Sequence, residues 1–489
     1  MDTVLSSILP VLHGGLGNLA AYLAAHVLLC LLPAFFIAGA MAALIPKETI
    51  TRFLGRNASK AVSYPAAAAA GSLLAVCSCT IVPLFAGIHK KGAGLGPAIT
   101  FLFFAPAANI LALVYTGGII GPDLAIARFL LSLIFGIGIG LIMALLFRAD
   151  DVAHDQATDS AFGAAGAQGM GRAALVFLLT WVALLLAGTL KLGVLTGSWF
   201  QFELPLSAAE TWQAGLDQLV PFDADKGEEG VSVQGVLLIG LLVAIGASAW
   251  RGIENIQSGA NRWTDISLGL IALTLLLAAL SIQATPSGLR IGVTGKFFGV
   301  ALALMALLQI GRRHMSEDER QDWLWESWRF VKQIFPLLVT GVFIVGMVRV
   351  LIRPEWIESL AGANTVQGNL AGVVFGVFMY FPTLVEVPIA RMFLDLGMHR
   401  GPLLAYLMAD PELSLQSILI ISAIIGRIKT WTYVALVALF STVAGLTYGA
   451  WIDGTPLLVL ALGLAGFVAA LAGLLSMASR RQTTSIKGV

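Results

Sequence analysis

Apolar windows of about 20 residues without a strong charge recur along the whole length of this chain. An α-helix of that length crosses the hydrocarbon core of a bilayer, so the pattern restricts the fold to membrane-spanning helices. About thirteen such segments are present, and they are centred near residues 34, 76, 107, 135, 183, 241, 273, 301, 342, 380, 413, 440 and 467. The sequence therefore predicts an all-α, polytopic membrane protein embedded in a lipid bilayer.

Composition narrows the classes of function. Charged residues make up 12% of the 489 residues, about half of the share in an ordinary soluble domain. A net charge of +1 without a dense basic patch argues against nucleic acid as a partner, and three cysteines do not make a disulfide framework. No phosphate-binding loop of an ATP-driven pump is present. We therefore predict neither an enzyme activity nor a cofactor.

Prolines reveal an internal repeat. Three of them recur at a constant offset of 305 residues, and the pairs are Pro83 and Pro388, Pro97 and Pro402, and Pro106 and Pro411. Gly96 and Gly401 obey the same shift. Proline interrupts helical hydrogen bonding, and interrupted helices at matching places in two copies mark the binding site of many transporters. We predict two copies, here called the first copy (residues 20–148) and the second copy (residues 330–455), with Pro83, Pro106, Pro388 and Pro411 as helix-breaking residues.

The domain organisation follows from these copies. Residues 1–148 form the first permease repeat, and residues 330–489 form the second repeat with a C-terminal helix. The middle insert, residues 149–329, holds about four more apolar segments and an acidic loop between Thr196 and Val231.

Charge placement predicts how the chain crosses the bilayer, because Lys and Arg accumulate in cytoplasmic loops. If every apolar segment crossed, Arg312 would lie outside and the acidic loop inside, against that rule. If the segments near residues 76 and 380 are re-entrant hairpins, all basic clusters fall inside and the acidic loop falls outside. This topology makes the two copies inverted. The alternative is that residues 65–88, which are long enough, span the bilayer outright.

A thiol pair lies in the second apolar segment, where Cys77 and Cys79 are separated by Ser78 and followed by Thr80. Residues two apart do not share a helical face, but at an unwound hairpin tip both thiols can face one ligand. Thiolates favour soft metals, so Cys77 and Cys79 are candidate metal and substrate ligands, with Ser78 and Thr80 as weaker contacts. The alternative is that buried cysteine acts as a small apolar residue, which we favour for Cys30.

The matching tip of the second copy has no thiol but contains Thr383, a further candidate contact to substrate, and Glu386. A carboxylate inside an apolar segment is a functional candidate, and we interpret Glu386 as a proton carrier. The alternative is a structural pair between Glu386 and Arg391.

Two polar residues lie beside the interrupting prolines of the third apolar segment in each copy. Asp410 precedes Pro411 and is a second candidate for proton coupling. Asn109 follows Pro106 and is a candidate substrate contact, or else it makes a hydrogen bond between helices.

The run Cys77–Gly87, together with Lys90–Pro97 and Ala105–Asn109, resembles the ArsP/YraQ-like predicted permeases. That family includes exporters of trivalent organoarsenicals and, in another branch, proteins linked to copper and zinc efflux. The resemblance implies a permease of the cell inner membrane and suggests Cys77 and Cys79 as its soft-ligand site. The middle insert departs from the family pattern.

Three functional hypotheses follow. The first is export of a small thiophilic solute, most sharply a trivalent organoarsenical, captured by Cys77 and Cys79 and driven by alternating access with proton entry at Glu386. The second keeps the fold and replaces the arsenical with Cu(I) or Zn. The third is a membrane thiol oxidoreductase, which normally needs a second thiol pair, and only Cys30 remains.

Overall fold

A computed structural model describes residues 2–25, 27–74, 78–162, 171–190, 192–206, 208–223, 228–351, 355–378 and 383–486. The first part of the chain forms α1 (Asp2–Ala25), a π-helical turn (Val27–Leu31), α2 (Leu32–Leu44), α3 (Lys47–Leu54), α4 (Lys60–Leu74), α5 (Ser78–Lys90), α6 (Leu95–Ala107), α7 (Ile110–Ile119) and α8 (Pro122–Leu146). The middle insert forms α9 (Arg148–Phe162), α10 (Arg172–Thr189), α11 (Gly193–Thr196), β1 (Ser198–Leu204), α12 (Ala209–Leu219), β2 (Phe222–Asp223), β3 (Glu228–Glu229), α13 (Val233–Arg251), a 3₁₀ turn (Ile253–Ser258), α14 (Arg262–Ala278), β4 (Leu280–Thr285), β5 (Gly288–Thr294) and α15 (Gly295–Arg313). The last part forms α16 (Glu317–Arg349), α17 (Glu355–Ala361), α18 (Val366–Phe378), α19 (Thr383–Asp395), α20 (Arg400–Leu413), α21 (Leu415–Ile425), α22 (Arg427–Ile452) and α23 (Leu457–Ile486).

Seven helices of the described chain are long and apolar enough to cross a membrane, and two bent helix pairs raise this number to nine. The pairs are Leu9–Ala24 with Leu28–Leu44, bent by 51°, and Arg400–Leu413 with Leu415–Ile425, bent by 47°. Shorter apolar helices such as Val366–Phe378 account for further predicted segments. The prediction of a helical multi-pass architecture is confirmed.

The all-α prediction needs one correction outside these helices. Strands β1, β5 and β4 form a three-stranded antiparallel sheet, and β2 pairs with β3. In the larger sheet Ile291 lies opposite both Phe202 and Ile282. A search for apolar windows missed these strands because they lie in the short polar connections of the middle insert.

The helix boundaries follow the same 305-residue offset as the prolines. Helices α5, α6, α7 and α8 begin at Ser78, Leu95, Ile110 and Pro122, and helices α19, α20, α21 and α22 begin at Thr383, Arg400, Leu415 and Arg427. The turns before α6 and α20 contain Gly92 and Gly397, whose φ angles are 88° and 90°. Only glycine adopts that backbone conformation at little cost, so the two turns require it.

Helices α6 and α20 form the centre of the protein. Every residue of α6 is buried, and every residue of α20 after Arg400 is buried. The close crossing of α6 with α8 depends on Gly96, where a Cβ would lie 2.9 Å from the Gly140 carbonyl oxygen. A Cβ at Gly401 would lie 2.9 Å from the Gly445 carbonyl oxygen in the second copy. Small residues thus let the paired backbones approach.

The helix pair α4 and α5 begins and ends at the same end of α6. Near the start of α6, the Gly94 amide donates to the Leu54 carbonyl at 2.8 Å. Near the end of α6, Gly71 of α4 lies against Ala105. Helix α4 therefore runs parallel to α6, and α5 returns to the short turn before Leu95.

The second copy repeats this arrangement. The His399 amide donates to the Ala361 carbonyl at 2.9 Å near the start of α20, and Gly376 of α18 lies against Asp410 near its end. The connecting residues 75–77 and 379–382 lie outside the described chain. The re-entrant topology of these two segments stays a prediction.

Helices α8 and α22, which occupy equivalent places in the two copies, run in opposite directions. At the start of α8, Asp123 Oδ2 accepts a 2.7 Å hydrogen bond from Tyr448 Oη near the end of α22. Just past the end of α8, Asp150 Oδ2 lies 3.1 Å from Lys429 Nζ near the start of α22. Helices α8 and α22 are therefore antiparallel.

Candidate functional site

Two helix breaks lie near the middle of the central spans. The first separates α6 from α7 within the apolar stretch Leu95–Ile119, and the second separates α20 from α21 at Ser414. Asn109 caps α7, because its Oδ1 accepts from the Ala112 amide at 2.8 Å. Its Nδ2 donates to the Pro106 carbonyl at 3.3 Å. The hydrogen bonds of Asn109 are thus local to the break and do not join two spans.

The predicted helix-breaking prolines fall into two groups. Pro106 and Pro411 lie in the last turns of α6 and α20, directly before the breaks. Pro83 and Pro388 lie inside α5 and α19, and both helices continue past them. The helix-breaking role predicted for Pro83 and Pro388 is therefore wrong. Each is the sixth residue of its helix, so one hydrogen bond to the residue four positions earlier is lost, yet the helix continues.

A buried ion pair joins the two copies beside the first break. Arg128 of α8 donates from Nη2 to Glu386 Oε1 of α19 at 2.9 Å, and both side chains are 0% exposed. Sequence reasoning proposed Arg391 as the alternative partner of Glu386, but Arg391 pairs with Asp395 at 3.2 Å. Glu386 therefore lies in the core and contacts the opposite copy.

The surroundings of Arg128 explain how a guanidinium is accommodated at this depth. Its Nε donates to the Ala107 carbonyl at 2.7 Å, and its Nη1 donates to Thr116 Oγ1 at 3.3 Å. The carbonyls at a helix end lack partners within the helix, so the break after Ala107 supplies an acceptor. Arg128 thus connects α6, α7 and α19.

A second polar contact occupies the equivalent place in the second copy. Tyr433, which lies 305 residues after Arg128, donates from Oη to Glu412 Oε2 at 2.7 Å. Glu412 lies 305 residues after Ala107. The same two positions therefore make contact in both copies, but with different chemistry. Asp410, two residues earlier on α20, is 0% exposed.

The described end of the first hairpin approaches this break. Ser72 Oγ of α4 donates to the Ala108 carbonyl at 3.3 Å. Buried Thr80 of α5 places its Oγ1 2.6 Å from Cys30 Sγ, which belongs to the π-helical turn. Helix α4 therefore reaches the break after Ala107, and α5 contacts the π-helical turn.

The predicted thiol site falls largely outside the described chain. Cys77 lies outside it, as do the side chains of Ser78, Cys79 and Thr383, whose backbone belongs to α5 and α19. Their roles as substrate contacts stay predictions. Among the residues that were placed, no three His, Cys, Asp or Glu side chains are arranged to hold a metal ion.

A third contact joins the copies at one end of α8. Arg400 Nη1 lies 2.6 Å from Asp123 Oδ2, the same oxygen that accepts from Tyr448. The bond between Tyr448 and Asp123 and the pair of Lys429 and Asp150 give the α8–α22 interface a polar link at each end. The central pair differs from these end links because it is completely removed from solvent.

Sequence reasoning noted Glu412 only as a carboxylate that flanks Pro411 with Asp410, and it missed Arg128 and Tyr433 as site residues. The available signal was Arg128 itself, a single arginine inside the long apolar helix α8. Ionisable residues at such positions are functional candidates by default.

Comparison with known proteins places these features in a family. The profile of ArsP_1, described as a predicted permease, matches residues 13–450. The UPF0718 protein MJ0584 of Methanocaldococcus jannaschii is 31% identical over 446 residues, covering 91% of this chain and 98% of that protein. The UPF0718 protein YraQ of Escherichia coli is 28% identical over 118 residues, covering 24% of this chain and 34% of that protein. No solved structure matches the chain.

Proposed function

Because the chain belongs to the ArsP_1 family of predicted permeases, we propose that this multi-pass membrane protein exports a small thiophilic solute. The observation that carries the proposal is the fully buried pair of Arg128 and Glu386, which links the two copies beside a mid-span helix break. Charged groups at such depth are costly and usually line a pathway or take part in coupling. We place the protein in the inner membrane of a prokaryotic cell.

The proposed mechanism is alternating access of two inverted copies. The antiparallel contact between α8 and α22 supports inversion, since equivalent elements of inverted repeats run in opposite directions. The breaks after Ala107 and at Leu413 resemble the interrupted helices that hold substrate in repeat transporters. Asn109 and Thr383 would contact the solute at these breaks.

The proposed solute is a trivalent organoarsenical bound by Cys77 and Cys79, with Ser78 and Thr80 beside it. The support is positional: Ser72, which precedes the thiol pair, donates to the Ala108 carbonyl at the first break, and Thr80, which follows it, contacts Cys30 in the π-helical turn. Glu386 and Asp410 would couple the cycle to proton entry. Both are completely buried, so a change of their charge acts on the packed core.

The test is resistance together with efflux. We expect Cys77→Ser/Cys79→Ser to lose protection of an arsenical-sensitive bacterium against trivalent methylarsenical, and to lose uptake of that solute into everted vesicles. Cys30→Ser is the matched control, with an expected loss of less than twofold, because Cys30 is treated as an apolar packing residue. A double variant that protects as well as the wild type would refute the thiol site.

The Cu(I) or Zn hypothesis uses the same two thiols and the same vesicles. Metal-dependent transport that is absent with arsenicals would support it in place of the first hypothesis. The thiol oxidoreductase hypothesis needs an exchange partner. Trapping of a redox-dependent mixed disulfide at Cys77 or Cys79 would support it.

A further inference from the structure

Among the described side chains buried near the helix breaks, the acidic ones outnumber the basic ones. Glu386, Asp410 and Glu412 are at most 2% exposed, and Arg128 is the cation in contact with Glu386. An isolated carboxylate in an apolar interior is strongly disfavoured, and such a group takes up a proton or a counter-ion. The question is which carboxyl group holds the proton.

The ion pair answers the question for Glu386. Arg128 donates one hydrogen bond to Glu386 Oε1, and its other described hydrogen bonds go to the Ala107 carbonyl and to Thr116 Oγ1. A charge-assisted hydrogen bond of this kind keeps both partners ionised. Glu386 Oε2 is also buried without a hydrogen-bond partner in the described chain, but the guanidinium in contact with Oε1 compensates the carboxylate charge.

Glu412 has no such cation in hydrogen-bond contact. Its Oε2 accepts from the neutral Tyr433 hydroxyl at 2.7 Å, while its Oε1 is buried and has no hydrogen-bond partner in the described chain. A carboxylate with an unpartnered, desolvated oxygen is costly, whereas a protonated carboxyl carries no charge. A proton on Oε1 removes that cost.

The groups that face Glu412 can be named helix by helix. Tyr433 approaches from α22, Glu386 from α19 and Arg128 from α8. Helices α6, α18 and α21, which also pack against α20, contain no titratable side chain. On α20 itself the titratable residues are Arg400, Tyr406, Asp410 and Glu412. Arg400 lies at the opposite end of α20 from Glu412, where it is paired with Asp123.

We propose that Glu412 holds a bound proton in this state, beside the coupling residues Glu386 and Asp410 proposed above, and that Tyr433 is its fixed hydrogen-bond donor. Loss of the proton would create a carboxylate within electrostatic reach of Arg128, which would then be shared between Glu412 and Glu386. The proton on Glu412 thus controls the link between the copies. This inference deepens the proposed proton-coupled export by naming the residue that is loaded.

The test is infrared difference spectroscopy of the full-length protein in proteoliposomes as a function of pH. We expect the wild type to show the carbonyl stretching band of a protonated carboxylic acid. Glu412→Gln should lose band intensity, and Asp395→Asn, in the exposed pair with Arg391, should keep it. A band that Glu412→Gln leaves unchanged, or the absence of any such band from the wild type, would overturn the proposal.

A second measurement uses the unmodified protein, in case Glu412→Gln does not fold. Dicyclohexylcarbodiimide reacts with protonated carboxyl groups in apolar surroundings, and peptide mass spectrometry locates the adduct. We expect the adduct on Glu412 and none on Glu386, whereas the reverse distribution or an unmodified Glu412 would refute the assignment. Neither measurement uses a transported solute, so failure of the arsenical hypothesis would leave both results interpretable.

Discussion

The link between the copies makes a quantitative prediction about Arg128 and Glu386. Removing one partner of a buried pair typically costs about 3–5 kcal/mol, because the other charge stays buried without compensation. We expect Arg128→Met and Glu386→Gln each to destabilise the protein by about that amount. The two side chains are 0% exposed, so solvent cannot screen the charge that is left.

The double variant separates the pair from its surroundings. Arg128→Met/Glu386→Gln contains neither charge, and its main remaining defects are the unpaired Ala107 carbonyl and the unpaired side-chain amide introduced at position 386, each worth about 1–3 kcal/mol. The double variant should therefore be no less stable than either single variant. The coupling free energy should reach several kcal/mol, above the usual range of about 0.5–3 kcal/mol for residues in contact.

The assay is unfolding in mixed detergent micelles, with tryptophan fluorescence as the signal. The exposed pair of Arg391 and Asp395, with side chains 52% and 60% exposed, is the matched control. Its double-variant cycle should give a coupling free energy of about 0–1 kcal/mol, because solvent screens an exposed pair. If the stability losses of Arg128→Met and Glu386→Gln add up in the double variant, as for two independent side chains, the reasoning is refuted.

Two further predictions concern packing and pH. Gly96→Leu should disrupt the crossing of α6 with α8 and lower the yield of folded protein, whereas Gly118→Leu, which meets nothing within 4 Å, should not; size-exclusion chromatography of both variants checks this. Lys91 lies in the turn before α6, and burial lowers its pKa to about 8 in the folded protein, compared with about 10.4 in the unfolded chain. Between pH values of about 8 and 10.4 the unfolded chain therefore binds more protons at Lys91 than the folded protein does. Unfolding measurements should therefore show stability rising with pH across that interval, and Lys91→Met, which does not titrate, should remove the rise; an unchanged slope would contradict the assignment.

The sequence predicted those parts of the fold that depend on local composition and spacing. The length of each apolar segment predicts the spans, and the 305-residue offset between prolines predicts matched helix boundaries. Both features depend only on residue type and spacing along the sequence, and not on which helices pack together. The partner of Glu386 could not be predicted in this way. Arg128 lies 258 residues away, and which charges meet depends on how α8 crosses α19. The nearby Arg391 looked suitable, but its side chain points to solvent and pairs along the same helix.

The contact between Phe135 and Phe440 has a consequence for how the protein can move. These residues lie 305 positions apart in the sequence, and their ring centroids are 4.9 Å apart. The approximate twofold axis that relates α8 to α22 therefore passes close to this contact. If α8 and α22 rotate relative to each other about the contact of Phe135 with Phe440, the two ends of the helix pair move in opposite directions. The contact between Tyr448 and Asp123 would then lengthen while the contact between Lys429 and Asp150 shortens. The same rotation would therefore open the protein at one end of the helix pair and close it at the other end.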